Sequence, residues 1–165
     1  MIYDPNLHHN KIHPLKGYDY SKSEMHFVTM WTPNRECLFG EITDGKMVLN
    51  ETGKIVYDEC FKNFLIHENI KMDVYVVMPN HFHGIIIIQK SESKFLQLVN
   101  TDDIVKSIKS AITRKINSLQ NTKKVKIWQS TYLKETITDE QTYLKFSEHI
   151  INNPTNWFTD NLYKQ

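Results

Sequence analysis

The spacing of hydrophobic residues changes several times along the chain, and each change predicts a new element. Aromatic and β-branched residues are dense from 24 to 32 and stop at Pro33, which favours a strand. Between 41 and 53 an Asp-Gly pair separates two short apolar runs, which is typical of a hairpin. Apolar residues then recur at helical spacing from about 52 to 67. The first part of the chain therefore predicts a strand, a hairpin and an amphipathic helix.

Two apolar runs follow, from 71 to 78 and from 81 to 89, with only a Pro-Asn pair between them. Because proline cannot donate to a central sheet ladder, this pair predicts a break between two strands. A stripe of isoleucine and other apolar residues from 104 to 119 predicts the clearest amphipathic helix. After a loop, we expect a short strand near 125 to 128.

The last element is a helix. Thr138 followed by Gln141 resembles a capping box, and the helix that it opens should end just before Pro154. The order β-α-β-β-α-β-α indicates an α+β fold of the split βαβ type, in which helices cover an antiparallel sheet. Residues 1–23 are polar and rich in His, Pro and Tyr, so we interpret them as an extended arm ahead of one domain at 24–165.

Composition narrows the class of protein. The 20 basic residues nearly balance the 19 acidic ones, so the chain has no global charge that would attract nucleic acid or a membrane. Cys37 and Cys60 are too few for a disulfide framework. The N-terminus lacks the features of a signal peptide, and the longest aliphatic run, 85–88, is too short to cross a bilayer. We expect a reduced, cytoplasmic protein without a membrane partner.

The segment His81-Phe82-His83 supplies candidate metal ligands. Alternation along a strand places both imidazoles on one face, about 6 to 7 Å apart along the strand. Two imidazoles on one face can bind a single divalent ion. Two surface histidines on a half-exposed strand would show the same pattern, so the spacing alone does not decide between them.

The last helix offers a further ligand. His149 and Asn153 are four residues apart and therefore share a helical face. If this face opposes the histidine pair, Asn153 can supply an oxygen while His149 lies beside the metal. An Asn-Pro pair at a helix end also has a structural explanation, as a cap followed by a residue that cannot continue the helix.

The segment from 104 to 134 is rich in Lys and Arg and contains no acidic residue. Such a face can follow phosphates, although a solvated lysine-rich face gives the same pattern. Trp128 and Tyr132 add rings on which unpaired bases could stack. The candidate DNA-binding residues are Lys106, Lys109, Arg114, Lys115, Lys123, Lys124, Lys126 and Trp128.

Several segments together resemble the REP-associated tyrosine transposases, a family of the single-tyrosine HUH transposase superfamily that acts on single-stranded DNA. Each segment alone is a weak signal, but together they extend over nearly the whole chain. The matching segments are Gly17–Tyr20, Phe27–Thr29, Asn34–Glu41, Met78–Gly84, Ile104–Ser107 with Thr113–Arg114, Trp128–Gln129 and Ile150–Pro154.

The resemblance implies a ferredoxin-like sheet that carries a Mg²⁺ or Mn²⁺ ion on His81 and His83, with Asn153 as the third ligand. It also implies that a tyrosine of the last helix cleaves single-stranded or hairpin DNA, leaving a 5′-phosphotyrosine and a free 3′-OH. In this sequence His149 stands at the position of that tyrosine. The candidate catalytic residues are therefore His149 and Tyr132, which lies in the segment before the last helix. We expect the protein to be a monomer or a homodimer.

Three functions are compatible with these features. The first is metal-assisted DNA strand cleavage and transfer with a non-standard nucleophile. The second is a catalytically impaired protein that binds structured DNA. The third is a small metal-dependent hydrolase in which His81, His83 and His149 surround zinc. A covalent adduct with a DNA hairpin in Mn²⁺ would distinguish the first from the second, and tightly held zinc with hydrolysis of a non-nucleic substrate would indicate the third.

Overall fold

The computed structural model describes residues 18–65, 68–90 and 99–164. The proposed arm up to residue 17 and the last two residues of the helix expected at 52–67 lie outside the described residues. The strands and helices of the described part are, in chain order, β1 (Ser23–Trp31), β2 (Gly40–Thr43), β3 (Lys46–Leu49), α1 (Glu51–Leu65), β4 (Ile70–Val77), β5 (His81–Gln89), α2 (Thr101–Leu119), β6 (Leu133–Thr136) and α3 (Glu140–Asn152).

The main sheet has the strand order β4-β5-β1-β6, and each pairing in it is antiparallel. Strands β2 and β3 form a separate hairpin between β1 and α1. Helix α1 connects β1 to β4, and α2 connects β5 to β6, so each crossover passes over one intervening strand. This is the split βαβ arrangement of a ferredoxin-like fold. The α+β class and the antiparallel sheet predicted from the sequence are confirmed.

The sheet has one face toward α2 and the other toward α3. His26 of β1 meets α2, where its Nδ1 lies 2.8 Å from Thr101 Oγ1. The neighbouring Phe27 meets α3, where its ring stacks on Phe146 with 4.3 Å between centroids. Consecutive strand residues point to opposite faces, so the two helices cover opposite sides. We call these the α2 face and the α3 face. Helix α1 packs beside α2.

Strand β5 is central in the sheet and is buried on both faces from His81 to Ile88. Its isoleucines pack in the core, and the isoleucine stripe predicted for α2 is buried against the sheet. A side chain at the start of β5 is therefore removed from water even when it is polar. No helix in the described part of the chain is long and apolar enough to cross a membrane.

The short strand expected near 125 to 128 is wrong. This stretch is a loop, and the strand that pairs with β1 lies a few residues later, at β6. Ile127 and Trp128 are buried because the loop packs on the core, with the Trp128 ring 5.0 Å from that of Phe39. All four residues of β6 are exposed, so this edge strand has no hydrophobic alternation.

Helix α3 starts with a different cap from the one expected. Its N-cap is Asp139, whose carboxylate accepts a hydrogen bond from the Thr142 backbone N–H at 2.8 Å. The box predicted from Thr138 and Gln141 is therefore displaced by one residue, because an aspartate is an equally good N-cap. The helix ends at Asn152, before Pro154, as predicted.

Candidate metal centre

His81 and His83 lie side by side on the α3 face. Their ring centroids are 4.5 Å apart, and they are 0% and 4% exposed. In the register of the sheet they stand opposite Trp31 and Thr29 of β1. The two rings share a face, as strand alternation predicted, but they are not the surface histidines of the alternative interpretation. Buried imidazoles need partners, so their surroundings show what they can bind.

The His83 ring presents one free nitrogen. Nδ1 lies 2.8 Å from Thr29 Oγ1, whereas the buried Nε2 has no hydrogen-bond partner. Burial lowers the pKa of His83 well below its usual value, and the neighbouring imidazoles His81 and His149 lower it further. The ring is therefore neutral at neutral pH. If the proton of the neutral ring is on Nδ1, Nε2 has a free lone pair. A neutral imidazole with such a nitrogen is the form that binds metals.

The two nitrogens of His81 face two amide oxygens. Nδ1 lies 2.8 Å from Asn80 Oδ1, and Nε2 lies 3.0 Å from Asn153 Oδ1. The orientation of each amide is fixed by its nitrogen. Asn80 Nδ2 donates to the carbonyl oxygens of Arg35 and Leu162, and Asn153 Nδ2 donates to a carboxylate. Both amide oxygens therefore point at the ring.

A neutral His81 cannot donate to both oxygens. Burial lowers its pKa to about 4, so at neutral pH the ring carries one N–H. If that N–H is on Nδ1 and binds Asn80, the lone pairs of His81 Nε2 and Asn153 Oδ1 face each other across 3.0 Å. Adjacent ligands of an octahedral ion at about 2.1 Å are about 3.0 Å apart. These donors therefore fit a divalent ion, which would replace repulsion with two coordinate bonds.

Asp160 completes this group of donors. Ligand atoms of His81, His83 and Asp160 all lie within 4.8 Å of one another. The Asp160 carboxylate accepts from Asn153 Nδ2 and from the Leu162 backbone N–H, each at 2.6 Å. Sequence analysis missed this residue because it lies in a polar stretch after α3 that has no periodicity. Two imidazoles with carboxylate and amide oxygens form a mixed N and O set that is suitable for Mn²⁺ and related ions.

His149 lies beside the pair but outside the group of ligand atoms. Its ring centroid is 4.9 Å from that of His83 and 6.0 Å from that of Phe27, and the side chain is exposed. It lines a cavity of about 910 Å³ that His83, Asn153 and Asp160 also line. Within the described residues no tyrosine lines this cavity. A phosphate in the cavity would therefore meet an imidazole and, among the described residues, no phenol.

Tyr132 is not part of this site, contrary to the expectation that it was a second candidate nucleophile. Its hydroxyl donates a hydrogen bond to Asp102 of α2, and Lys109 of the same helix lies 5.8 Å from its ring centroid. Burial raises the pKa of Tyr132, and the Asp102 carboxylate raises it further. The residue faces α2, on the side of the sheet opposite to the histidines.

The predicted DNA-binding residues lie on α2 and in the loop after it, away from the α3 face. Three of them have contacts within the protein, and their role in binding DNA stays a prediction. Trp128 is buried, Lys115 pairs with Glu59, and Lys109 Nζ donates to the carbonyl oxygens of residues 129–131 at 2.7 to 3.3 Å. The members that are exposed and have no ion pair among the described residues are Lys106, Arg114, Lys123, Lys124 and Lys126.

The sheet order defines a ferredoxin-like domain, with two histidines side by side on a central strand. A solved structure of a REP-associated tyrosine transposase bound to a REP hairpin is similar, with a TM-score of 0.54 and 17% identity over 82% of this chain and 68% of that one. The resemblance inferred from the motifs is thereby confirmed for the fold. No protein-family model matches the sequence.

A sequence relative defines the family more closely. An uncharacterized protein of Haemophilus influenzae (strain Rd) is 35% identical over 177 residues, which cover 98% of this chain and 97% of that protein. The chain belongs to the same family as this Haemophilus protein.

Proposed function

We propose that this chain is a transposase-like protein that cleaves and transfers a strand of single-stranded or hairpin DNA at a divalent-metal centre. The observation that carries the proposal is the group of ligand atoms of His81, His83 and Asp160, which all lie within 4.8 Å of one another, with Asn153 Oδ1 3.0 Å from His81 Nε2. The matching motifs and the fold support DNA as the substrate, because the neighbour with this fold is bound to a REP hairpin.

The surrounding residues prepare the donors for an ion. Asn80 Oδ1 can accept the His81 proton on Nδ1, which would leave Nε2 free for an ion, and Thr29 Oγ1 can do the same for His83. Asp160 adds a negative charge, which strengthens binding of a cation. When bound, Mg²⁺ or Mn²⁺ would polarise a phosphate oxygen and neutralise charge that develops on it.

His149 is the proposed nucleophile, since its exposed imidazole lies in the cavity next to His83. One ring nitrogen would attack phosphorus, and the bond from phosphorus to the 3′ oxygen would break. The imidazole loses its N–H proton, and the leaving oxygen takes up a proton to become a 3′-OH. The product is a 5′-phosphoramidate on His149, from which a 3′-OH can later displace the imidazole and rejoin the strand.

The test is incubation of the protein with a labelled DNA hairpin that has a single-stranded flank, in the presence of Mn²⁺, followed by a denaturing gel. We expect a covalent adduct that is lost in His149→Ala and retained in Tyr132→Phe and Tyr163→Phe. A phosphoramidate bond breaks in mild acid, whereas a tyrosyl ester resists it. An adduct that survives both acid and the His149→Ala change would exclude histidine as the nucleophile.

A second function, binding of structured DNA without cleavage, is favoured by one observation. The hydroxyls of Tyr132 and Tyr143 are bonded to Asp102 and Asp73, and no tyrosine lines the cavity in the described ranges. A hairpin that shifts on a native gel but never forms an adduct would support this function. The hydrolase with three histidine ligands is less favoured, because Asp160 takes the place of His149 in the ligand group. Tightly held zinc and hydrolysis of a non-nucleic substrate would revive it.

A further inference from the structure

The connection between β1 and β2 brings an arginine to the metal centre. It forms a short turn at Pro33–Arg35, in which Asn34 and Arg35 have φ values of 54° and 56°. This left-handed backbone is common for asparagine but uncommon for arginine. Such outliers persist only where other contacts hold them, and they are frequent at functional sites.

Two contacts fix Arg35 in this conformation. Its carbonyl oxygen accepts from Asn80 Nδ2 at 3.0 Å, and its Nη1 donates to the Asn161 carbonyl at 2.9 Å. The first contact comes from the same amide that orients the His81 ring. The second is to the residue directly after Asp160. Arg35 is therefore tied to both sides of the proposed metal centre.

The guanidinium of Arg35 has capacity for a ligand. It lines the cavity together with His83, Asn153 and Asp160. Within the described residues it forms no salt bridge, and the one side-chain bond found there uses one of its five N–H groups. The other cationic group of the cavity, Lys145, lies over the Phe146 ring at 5.7 Å. An unpaired planar fork at the edge of a cation site is suited to an oxyanion with more than one free oxygen.

We infer that Arg35 binds the phosphodiester that the metal centre holds. The guanidinium would hold a non-bridging oxygen of the phosphate beside the residues that would hold the ion, so that phosphorus is oriented toward His149. This inference rests on the proposed function and deepens it by naming the residue that positions the phosphate. The left-handed turn is then the means by which the fold directs a charged fork into the cavity.

The first test measures binding of a fluorescent single-stranded oligonucleotide by anisotropy in Mn²⁺ at several salt concentrations. For Arg35→Gln we expect affinity to fall about 10- to 100-fold, since a charge-assisted contact is lost. The slope of log K against log salt should fall by about 0.7. Arg35→Lys should be intermediate because it keeps the charge but loses the fork. Lys62→Gln, an exposed charge on α1, is the matched control and should bind like the wild type.

A second measurement separates phosphate binding from a structural role. When the oligonucleotide carries a neutral methylphosphonate at the cleavage position, Arg35→Gln should cause little further loss of affinity for it. The affinity of the Arg35→Gln variant for Mn²⁺ without DNA should equal that of the wild type. Equal losses on both oligonucleotides, or weakened Mn²⁺ binding, would mean that Arg35 acts only through Asn161 and would overturn the inference. If the wild type binds the oligonucleotide and Arg35→Gln does not change the affinity, only this inference is overturned. A wild-type protein that binds no oligonucleotide overturns the proposed function as well.

Discussion

Asn80 has a larger influence on the metal centre than its place in a turn implies. Its side chain connects the His81 ring to the carbonyls of Arg35 and Leu162, and it is fully buried. Without its oxygen, the His81 proton is free to move to Nε2, where it blocks coordination. We expect Asn80→Ala to weaken Mn²⁺ binding about 10- to 100-fold, as for other residues that orient a ligand.

This prediction is tested by calorimetric titration of Mn²⁺ into the metal-free protein. Asn100→Ala is the control, because it removes the side-chain cap of α2 and leaves the histidines untouched. The control should lose stability while keeping its Mn²⁺ affinity. Equal affinities for Asn80→Ala and the wild type would show that Asn80 does not set the His81 proton.

The sequence predicts only the ligands that lie on regular elements. Alternation along β5 places His81 and His83 on one face, and one helical turn relates His149 to Asn153, so their proximity follows from periodicity. Asp160 lies outside any regular element near the end of the chain, where hydrogen bonds from Asn153 and Leu162 hold it. No local pattern records such contacts, so it could be found only in three dimensions.

At the scale of elements, the errors of the sequence analysis have one cause. The hydrophobic pattern predicts burial in strands and helices, but residues of a loop are also buried in this chain. Ile127 and Trp128 are buried without pairing in the sheet, whereas β6 pairs in the sheet while fully exposed. The same limit applies to Lys109, whose hydrogen bonds to the loop follow from no local pattern.

The contacts of Lys109 with the loop lead to a prediction about stability. Its ammonium donates to three consecutive carbonyls of the loop that leads to β6. Lys109→Met should lower the free energy of unfolding by about 1.5 to 3 kcal/mol, because hydrogen bonds from a charged donor are lost. Urea denaturation measures the change. Lys106→Met, at an exposed position of the same helix, should stay within about 0.5 kcal/mol of the wild type.

An aromatic contact with β1 helps to hold α3 on the sheet. Phe146 stacks on Phe27 with 4.3 Å between centroids and an interplanar angle of 7°. Phe146→Ala should cost about 3 to 5 kcal/mol, as for other buried phenylalanines. It should also weaken Mn²⁺ binding, because α3 carries Asn153 at its end. Phe146→Leu should recover part of both losses, and Phe158→Ala, at a residue 67% exposed, should cause neither. If Phe146→Ala is destabilised but keeps its Mn²⁺ affinity, the packing of α3 on Phe27 does not affect the metal site.

At the scale of the molecule, three histidines of the described residues are buried and neutral in the folded state at neutral pH. Burial lowers the pKa of His26, His81 and His83. Below about pH 6.5 the unfolded chain takes up protons that the folded chain does not. The stability of the metal-free protein should therefore be constant above this pH and fall below it, by up to about 1.4 kcal/mol per pH unit for each histidine.

Urea denaturation of the metal-free protein between pH 7.5 and 5.5 measures this dependence. His26→Gln removes one such histidine from the α2 face, far from the metal centre, so its stability should fall less steeply with acid. A stability that does not vary over this range would contradict the prediction.

The histidines and the exposed basic residues lie on opposite faces of one sheet, so we expect their contributions to DNA binding to be independent. Leu133 and Glu135 of β6 line the cavity, so we expect a strand that enters it to pass the edge at β6. Beyond that edge, the basic residues of α2 and its loop can contact the phosphates of a stem. The double change Lys106→Gln with Lys124→Gln should weaken hairpin binding by the same factor with and without Mn²⁺. His81→Ala should remove only the part that depends on Mn²⁺.

Because distant sites combine additively in free energy, the triple variant should show the product of the two effects. Anisotropy with a labelled hairpin, repeated over a range of salt concentrations, measures both the Mn²⁺-dependent and the Mn²⁺-independent part of the affinity. Lys46→Gln, on the separate hairpin at β3, is the charge-matched control. If the lysine changes altered only the Mn²⁺-dependent part, the two faces would bind the same phosphates, and the path of the strand over the β6 edge would be wrong.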